Sequence, residues 1–182
     1  QGTIHDARMQ YDAGRKGRLF LVPGSGGDGG WQPAPRQAYD LERLFDGLNR
    51  FIKSRRLDVL LVDTSAGLND DSLPFLAGAN VLVEIMRPDR QDFSGTATVL
   101  FTAQKLDVPR RILVVNQIPQ AFALDEVRRQ VEKAYDCPVA ALMRYAEEVA
   151  CTGSAGLFCE QFPDHEISRQ LAQLAEQLTM YV

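Results

Sequence analysis

The sequence predicts an α/β fold, a mostly parallel sheet flanked by helices in three layers. Three apolar runs without polar alternation, at residues 59–62, 81–86 and 112–115, indicate strands that are buried on both faces. Segments with helical periodicity separate these runs, and strands that alternate with helices are typical of a parallel sheet. The fold class therefore follows from the pattern of elements.

Length and composition are those of one globular domain. The chain has 182 residues, of which 45% are hydrophobic and 24% charged, so it is long enough to bury a sizeable core. We expect residues 18–180 to form this core, with 1–17 as a polar lead-in. The net charge of −4 argues against a general nucleic-acid surface.

The first strand candidate is 18–22, which Pro23 and a glycine-rich loop at 24–30 follow. The loop, GSGGDGG, contains a literal G-x-G-x-x-G. A dinucleotide site needs a helix to begin at the third glycine, and Trp31, Pro33 and Pro35 prevent this. The loop also lacks the Lys-Ser/Thr pair of a phosphate-binding loop. It is expected to be a flexible surface connection that binds no phosphate.

The stretch 58–68, DVLLVDTSAGL, places an acid directly after a buried strand. The apolar run 59–62 leads into Asp63 and then into a small-residue turn that ends at Gly67. Ligands of parallel sheets bind outside the carboxyl ends of the strands, so Asp63 stands where chemistry would take place. The alternative is that aspartate simply favours the turn.

Helices are predicted on both sides of this stretch. Residues 36–53 carry apolar side chains at helical spacing, and 69–76 form a short helix capped by Asn69 or Asp70. Further on, Asp89 or Asp92 caps a helix that runs to Leu106. The apolar positions of the first helix are Leu41, Leu44, Phe45, Leu48, Phe51 and Ile52.

Glu84 is an acid within the otherwise apolar strand 81–86. A carboxylate there must be paired, exposed at a sheet edge or protonated, because an isolated buried charge is costly. We favour a structural pairing over a catalytic role.

The third apolar run ends at Asn116, whose amide carries a donor and an acceptor that suit the edge of a purine. A simple turn-forming role is equally open. A helix at 124–135, a strand at 139–143 and a closing helix at 165–180 follow. Parallel strands connected by helices bring their ends to one side, so Asp63 and Asn116 are expected on the same rim, facing a common crevice.

The cysteines and histidines match no metal or disulfide pattern. Cys137, Cys151 and Cys159 are odd in number and match no zinc spacing, so they are expected to be reduced in a cytoplasmic protein. His5 and His165 have no partner at ligand spacing.

Three segments in order resemble the MinD/ParA branch of the deviant Walker A P-loop ATPases, in the SIMIBI class. DVLLVDTSAGLNDDSL is similar to its Walker B and switch II region, ANVLVEIMRPDRQDFSGTATVL to its next strand and helix, and RRILVVNQIP to the strand that carries its base-contacting Asn. The resemblance spans roughly residues 18–178 and implies a Rossmann-like P-loop NTPase fold.

The resemblance also implies roles for individual residues. Asp63 would hold Mg²⁺ through water, the amide of Gly67 would sense the γ-phosphate of ATP, and Asn116 would face the adenine. Arg144 and Tyr145 would lie along the base, although the family more often has a proline in place of Arg144. ATP or ADP with Mg²⁺ would be the cofactors of an ATPase that forms a homodimer when nucleotide is bound. A protein partner or cargo adaptor in partitioning or cell division would complete the system.

One departure changes the expected activity. The printed sequence holds no Lys-Gly-Gly-x-Gly-Lys-Ser/Thr loop, and phosphoryl transfer depends on such positioning and charge neutralisation. The chain is therefore either the C-terminal part of a longer ATPase or a non-hydrolysing localisation or assembly scaffold. An unrelated nucleotide- or metabolite-binding domain is a third reading.

Two structural consequences accompany this departure. The phosphate-loop strand of the resembled family lies next to the Walker B strand at the centre of the sheet. Its absence would leave two strand edges unpaired. The last helix carries one Arg and no Lys, so no C-terminal membrane helix is expected.

Overall fold

The structure, a computed structural model, describes residues 5–6, 18–22, 41–153 and 156–181, with only the backbone for 5–6. The glycine-rich loop at 24–30, the prolines that follow it and most of the predicted lead-in lie outside the described residues. The chain divides into two units, Gln1–Asp40 and Leu41–Val182. Each unit is described by itself.

In the first unit, a short strand pair is formed. Strand β1 (His5–Asp6) pairs antiparallel with β2 (Phe20–Leu21). The guanidinium of Arg18 lies 5.7 Å from the centre of the Phe20 ring. The strand predicted at 18–22 is thus confirmed over its central residues. It pairs with the lead-in, and it does so antiparallel.

The second unit contains a three-stranded parallel sheet flanked by helices, which confirms the predicted α/β class. The order of the strands in this sheet is β3-β4-β5, and both pairings are parallel. The elements in chain order are α1 (Leu41–Arg55), α2 (Ser72–Ala77), β3 (Val81–Met86), α3 (Arg90–Lys105), β4 (Arg110–Ile118), α4 (Leu124–Tyr135), β5 (Val139–Arg144), α5 (Glu147–Thr152), α6 (Phe158–Gln161) and α7 (Glu166–Thr179).

Helices cover the two faces of the sheet and make three layers. On one face, Leu113, Val115 and Ile118 of β4 pack in a buried cluster with side chains of α3 and α4. On the other face, Val114 of β4 packs in a second cluster against α7. Because β4 buries side chains on both faces, its run of apolar residues has no polar alternation. The α7 residues in that cluster are Ile167 and Leu174.

Side-chain caps fix where two helices begin. The Asp89 carboxylate accepts hydrogen bonds from the backbone N–H groups of Gln91 and Asp92 at 3.0 and 2.9 Å, so Asp89 is the cap of α3. The Asn69 side chain accepts from the N–H groups of Asp71 and Ser72 at 3.0 and 2.9 Å. Asn69, one of the two predicted caps, therefore orders the start of α2.

The predicted strand at 59–62 is not formed. This segment has no regular secondary structure, and Leu61 is 80% exposed. Within the described residues no strand pairs with it, and none pairs with the free edge of β3. A strand is stabilised by its ladder and by cross-strand side-chain contacts, so an apolar run without a neighbour stays irregular. The prediction of a strand buried on both faces was therefore wrong at this position.

None of the described helices combines the length and the apolar character required to cross a lipid bilayer. The three cysteines all lie within the described residues and form no disulfide.

Glu84 lies half-buried on β3 and has no basic partner among the described residues. Burial raises the pKa of its carboxyl group to about 7, and the nearby Asp92 of α3 adds to the shift. A hydrogen bond with the Thr96 side chain opposes it. Tyr135 of α4 also faces this group, and its own pKa is raised to about 12 by burial and by Glu84. Among the described residues, the expected pairing is thus not made by a basic side chain.

We expect Glu84 to make the unit less stable as the pH rises. The folded-state pKa of about 7 exceeds the ordinary value of 4.5, so between these values the native state holds a proton that the unfolded chain releases. The stability that this proton adds to the folded state is fully present below pH 4.5 and is lost above pH 7. Glu84→Gln should therefore gain stability relative to the wild type from pH 5 to pH 8, by roughly 2 kcal/mol after allowance for solvent screening.

Thermal unfolding at a series of pH values measures this difference. The Glu176→Gln variant, which removes an exposed carboxyl group of α7, is the matched control. A constant difference for Glu84→Gln would contradict the assignment.

Candidate functional site

The carboxyl ends of β3, β4 and β5 lie along one rim of the sheet. Met86 of β3 pairs with Val115 of β4, which in turn pairs with Leu142 of β5. Arg87 directly follows Met86 at the end of β3, and Asn116 directly follows Val115 within β4. Parallel α/β sheets bind ligands at this end, so the rim is the candidate site.

Asn116 lies in a β-bulge, whereas the sequence pattern predicts that it ends the strand. Val115 pairs with Leu142 and Ile118 pairs with Arg144, so Asn116 and Gln117 together lie opposite the single residue Met143. The strand continues to Ile118 beyond this point. Bulges of this kind occur next to functional sites, where they change the direction of side chains.

Gln117 adopts a left-handed backbone conformation, with a φ of 56°. Such a conformation costs a residue other than glycine about 1 kcal/mol or more. Its N–H donates to the Asn116 side-chain oxygen at 2.8 Å, which stabilises the bulge locally. Gln117 was missed in the sequence analysis. No pattern in the sequence indicates the bulge, because both faces of β4 are buried and its apolar residues do not alternate with polar ones.

The Asn116 side chain retains hydrogen-bonding capacity. Its amide nitrogen has no hydrogen-bond partner among the described residues, and its oxygen keeps a second lone pair after accepting from Gln117. The side chain is half-buried. The side chain therefore keeps one donor and one acceptor for a further partner.

Arg144 ends β5 at the same rim, and Tyr145 directly follows it. The Tyr145 N–H donates to the carbonyl oxygen of Ile118 at 3.0 Å, so the chain remains attached to β4 past the end of the strand. Its side chain is 54% exposed, which leaves ring surface for a flat ligand. Arg144 donates from Nη1 to the loop that follows β4, beginning with the Pro119 carbonyl at 3.2 Å.

Arg87 forms an ion pair at the end of β3. Its Nε and Nη2 donate to the two carboxylate oxygens of Asp92 at 3.1 and 3.2 Å, and its Nε lies 3.4 Å from Asp89. The hydrogen bonds with Arg87 hold the pKa of Asp92 below its usual range, and those with Asp92 raise the pKa of Arg87. The positive charge of Arg87 is therefore shared between two carboxylates.

Asp63 and Gly67 lie in an irregular segment and end no strand, so the expectation that Asp63 ends a parallel strand is wrong. Both are exposed. Gly67 has a φ of 76°, a conformation that favours glycine, and its carbonyl accepts from the Ser72 hydroxyl at 3.3 Å. The Asn69 side chain donates to the Ser65 hydroxyl at 2.7 Å. This segment is thereby attached to the start of α2.

The residues fit the base of a nucleotide better than its phosphates. Mg²⁺ in nucleotide sites takes one or two carboxylates together with phosphate oxygens, and Asp63 provides one such carboxylate. No group of three potential ligands (His, Cys, Asp or Glu) is present among the residues that the structure describes. The amide of Asn116 and the ring of Tyr145 suit a base, whereas the lysine-bearing phosphate loop is absent from the printed sequence.

Two cavities are present among the described residues. One of about 230 Å³ is at the amino ends of β4 and β5, where Arg110 lies 4.4 Å from the centre of the Tyr181 ring. In its wall, the Cys137 thiol donates to the Arg111 carbonyl at 3.3 Å, and burial raises its pKa. The other, of about 390 Å³, lies between α5 and Phe162. Their polar groups already have partners or are exposed, so we assign them no role.

A comparison with models of protein families found no match, and a comparison with curated protein sequences found none either. The resemblance to the MinD/ParA branch therefore rests on the three segments named above.

We expect Gln117→Gly to raise the free energy of unfolding by roughly 0.5 kcal/mol, because glycine adopts a positive φ without steric cost. The same substitution at Gln173, an exposed position within α7, should instead lower it by about 1 kcal/mol. Urea unfolding of both variants measures this contrast. Equal losses at the two positions would show that residue 117 is not left-handed in solution.

Proposed function

We propose that the chain is a nucleotide-dependent switch of the MinD/ParA type, whose rim binds the adenine base of ATP or ADP. The observation that carries this proposal is the bulge in β4. It places Asn116, whose amide nitrogen has no partner among the described residues, at the carboxyl ends of parallel strands, the same rim at which the exposed Tyr145 follows β5. This combination of an amide and an aromatic ring suits a flat heterocycle with donors and acceptors at its edge.

The open side of the sheet also supports this proposal. Ile85 of β3 is 63% exposed, Leu61 is 80% exposed, and within the described residues no strand pairs with the segment at 59–62 or with the outer edge of β3. In the resembled family the phosphate-loop strand lies next to the Walker B strand at the centre of the sheet. One further strand at the outer edge of β3 would pair the backbone groups that are left open there.

In the complete system that we propose, Asp63 and Gly67 belong to the phosphate side. Asp63 would hold Mg²⁺ through water, and the Gly67 amide would respond to the γ-phosphate. Nucleotide binding would favour a homodimer that recruits a protein partner or cargo adaptor. The chain's own described residues supply the base side.

A non-hydrolysing localisation or assembly scaffold is the second candidate. It is favoured by the absence of a lysine-bearing phosphate loop from the printed sequence and by the ion pairs of Arg87. Phosphate binding needs cations or oriented amides, and Arg87 is already paired with two carboxylates. Nucleotide binding separates the two candidates.

We expect millimolar Mg-ADP to shift the NMR signals of Asn116, Gln117 and Tyr145, because these groups surround the proposed base. Asn116→Ala should abolish most of the response, whereas Asn49→Ala on the exposed side of α1 should leave it unchanged. Titration of the ¹⁵N-labelled chain with ADP and, for comparison, GDP measures this. The absence of any ADP-dependent shift in the wild type would favour the scaffold.

The 182-residue chain by itself should show no measurable Mg²⁺-dependent ATPase activity. It lacks the lysines that neutralise the β- and γ-phosphate oxygens during transfer. Phosphate release from the purified chain is the measurement. Turnover in the wild type that disappears in Asp63→Ala would refute this expectation.

A further inference from the structure

The loop between β4 and α4 directs three backbone carbonyl groups at one side chain. Nη1 of Arg144 lies 3.2, 3.3 and 3.3 Å from the carbonyl oxygens of Pro119, Gln120 and Phe122, so its two N–H groups are shared among three acceptors. These carbonyls lie outside the sheet ladder. A guanidinium carries a permanent positive charge and several fixed donors, which suits a group of converging carbonyl dipoles.

The backbone of Arg144 and Tyr145 contacts β4 at Ile118, on the carboxyl side of the bulge. Arg144 pairs with Ile118 in the ladder, and the Tyr145 N–H donates to the Ile118 carbonyl at 3.0 Å. Ile118 is fully buried and directly follows the bulge. Asn116 and Gln117 are therefore held between the regular ladder at Val115 and the contacts of Arg144 with the loop.

The bulge needs this support because its own geometry is unfavourable. The left-handed backbone at Gln117 persists only where the surroundings determine it. The hydrogen bond between Asn116 and Gln117 is local and partly exposed to water. The three loop contacts add a restraint from another strand.

We propose that Arg144 is a positioning residue, which holds the Asn116–Gln117 bulge and the loop after it in the orientation that reads a base. This deepens the proposed function and rests on it. In this role Arg144 acts through the loop carbonyls, and contact with the ligand is made by Asn116 and Tyr145. A side chain without donors at this position would lose the restraint.

Amide hydrogen exchange tests the restraint itself. In Arg144→Met, exchange at Gln117, Phe122 and Tyr145 should become about tenfold faster than in the wild type. Val83 in β3 should not change. Arg144→Lys, which keeps a charge and three donors, should recover part of the protection. Arg129→Met, an exposed change on α4, is the matched control and should match the wild type.

Nucleotide titration tests the connection to the site. Arg144→Met should weaken ADP binding about tenfold and reduce the preference for ADP over GDP, while its melting temperature stays close to that of the control. A variant that had only lost stability would keep the wild-type preference for ADP over GDP.

Each outcome has a distinct meaning. Unchanged exchange in Arg144→Met, or faster exchange with unchanged ADP affinity, would overturn the positioning role. If the wild type shows no ADP response, the proposed function fails together with the role of Arg144 in base recognition. The exchange rates would then still show whether the loop contacts support the bulge.

Discussion

The burial of the central strand β4 is the constraint on which the rest of the second unit depends. Leu113, Val115 and Ile118 are fully buried in one cluster, although a regular strand would place Ile118 on the opposite face from Val115. One extra residue in the strand brings Ile118 back to the shared face. Because the opposite face of β4 is also buried, the bulge decides which of the two clusters Ile118 joins.

This packing decides what the rim presents to a ligand. The described charges at the rim are already engaged, since Arg87 pairs with Asp89 and Asp92 and Arg144 donates to the loop. The amide of Asn116, the exposed side chain of Gln117 and the ring of Tyr145 are uncharged groups at the same rim. An uncharged, flat ligand edge is the natural match for such groups, whereas phosphates require cations. In this chain, the proposed site therefore has more groups that would contact a base than groups that would bind phosphates.

The open side of the sheet gives a second constraint. Parallel sheets usually have both faces covered by helices. Among the described residues, β3 also has an edge without a strand partner, and the apolar segment at 59–62 is exposed. Exposed apolar edges attract other strands, so proteins normally cover or pair them. A further strand paired with β3 would cover the backbone groups that are open at this edge.

The sequence alone determined the elements whose signals are local. The predicted bounds of β3 and α4 match the structure residue by residue, and Asp89 caps its helix, because apolar periodicity and capping depend only on near neighbours. The position of Asn116 at the carboxyl end of the sheet was likewise predicted from the apolar run that precedes it. Only the tertiary structure decided that residues 59–62 form no strand, that β4 bulges at Gln117, and that Arg144 contacts the loop. Each of these depends on which backbone lies alongside, and a ladder partner is not encoded in the apolar pattern of the segment itself.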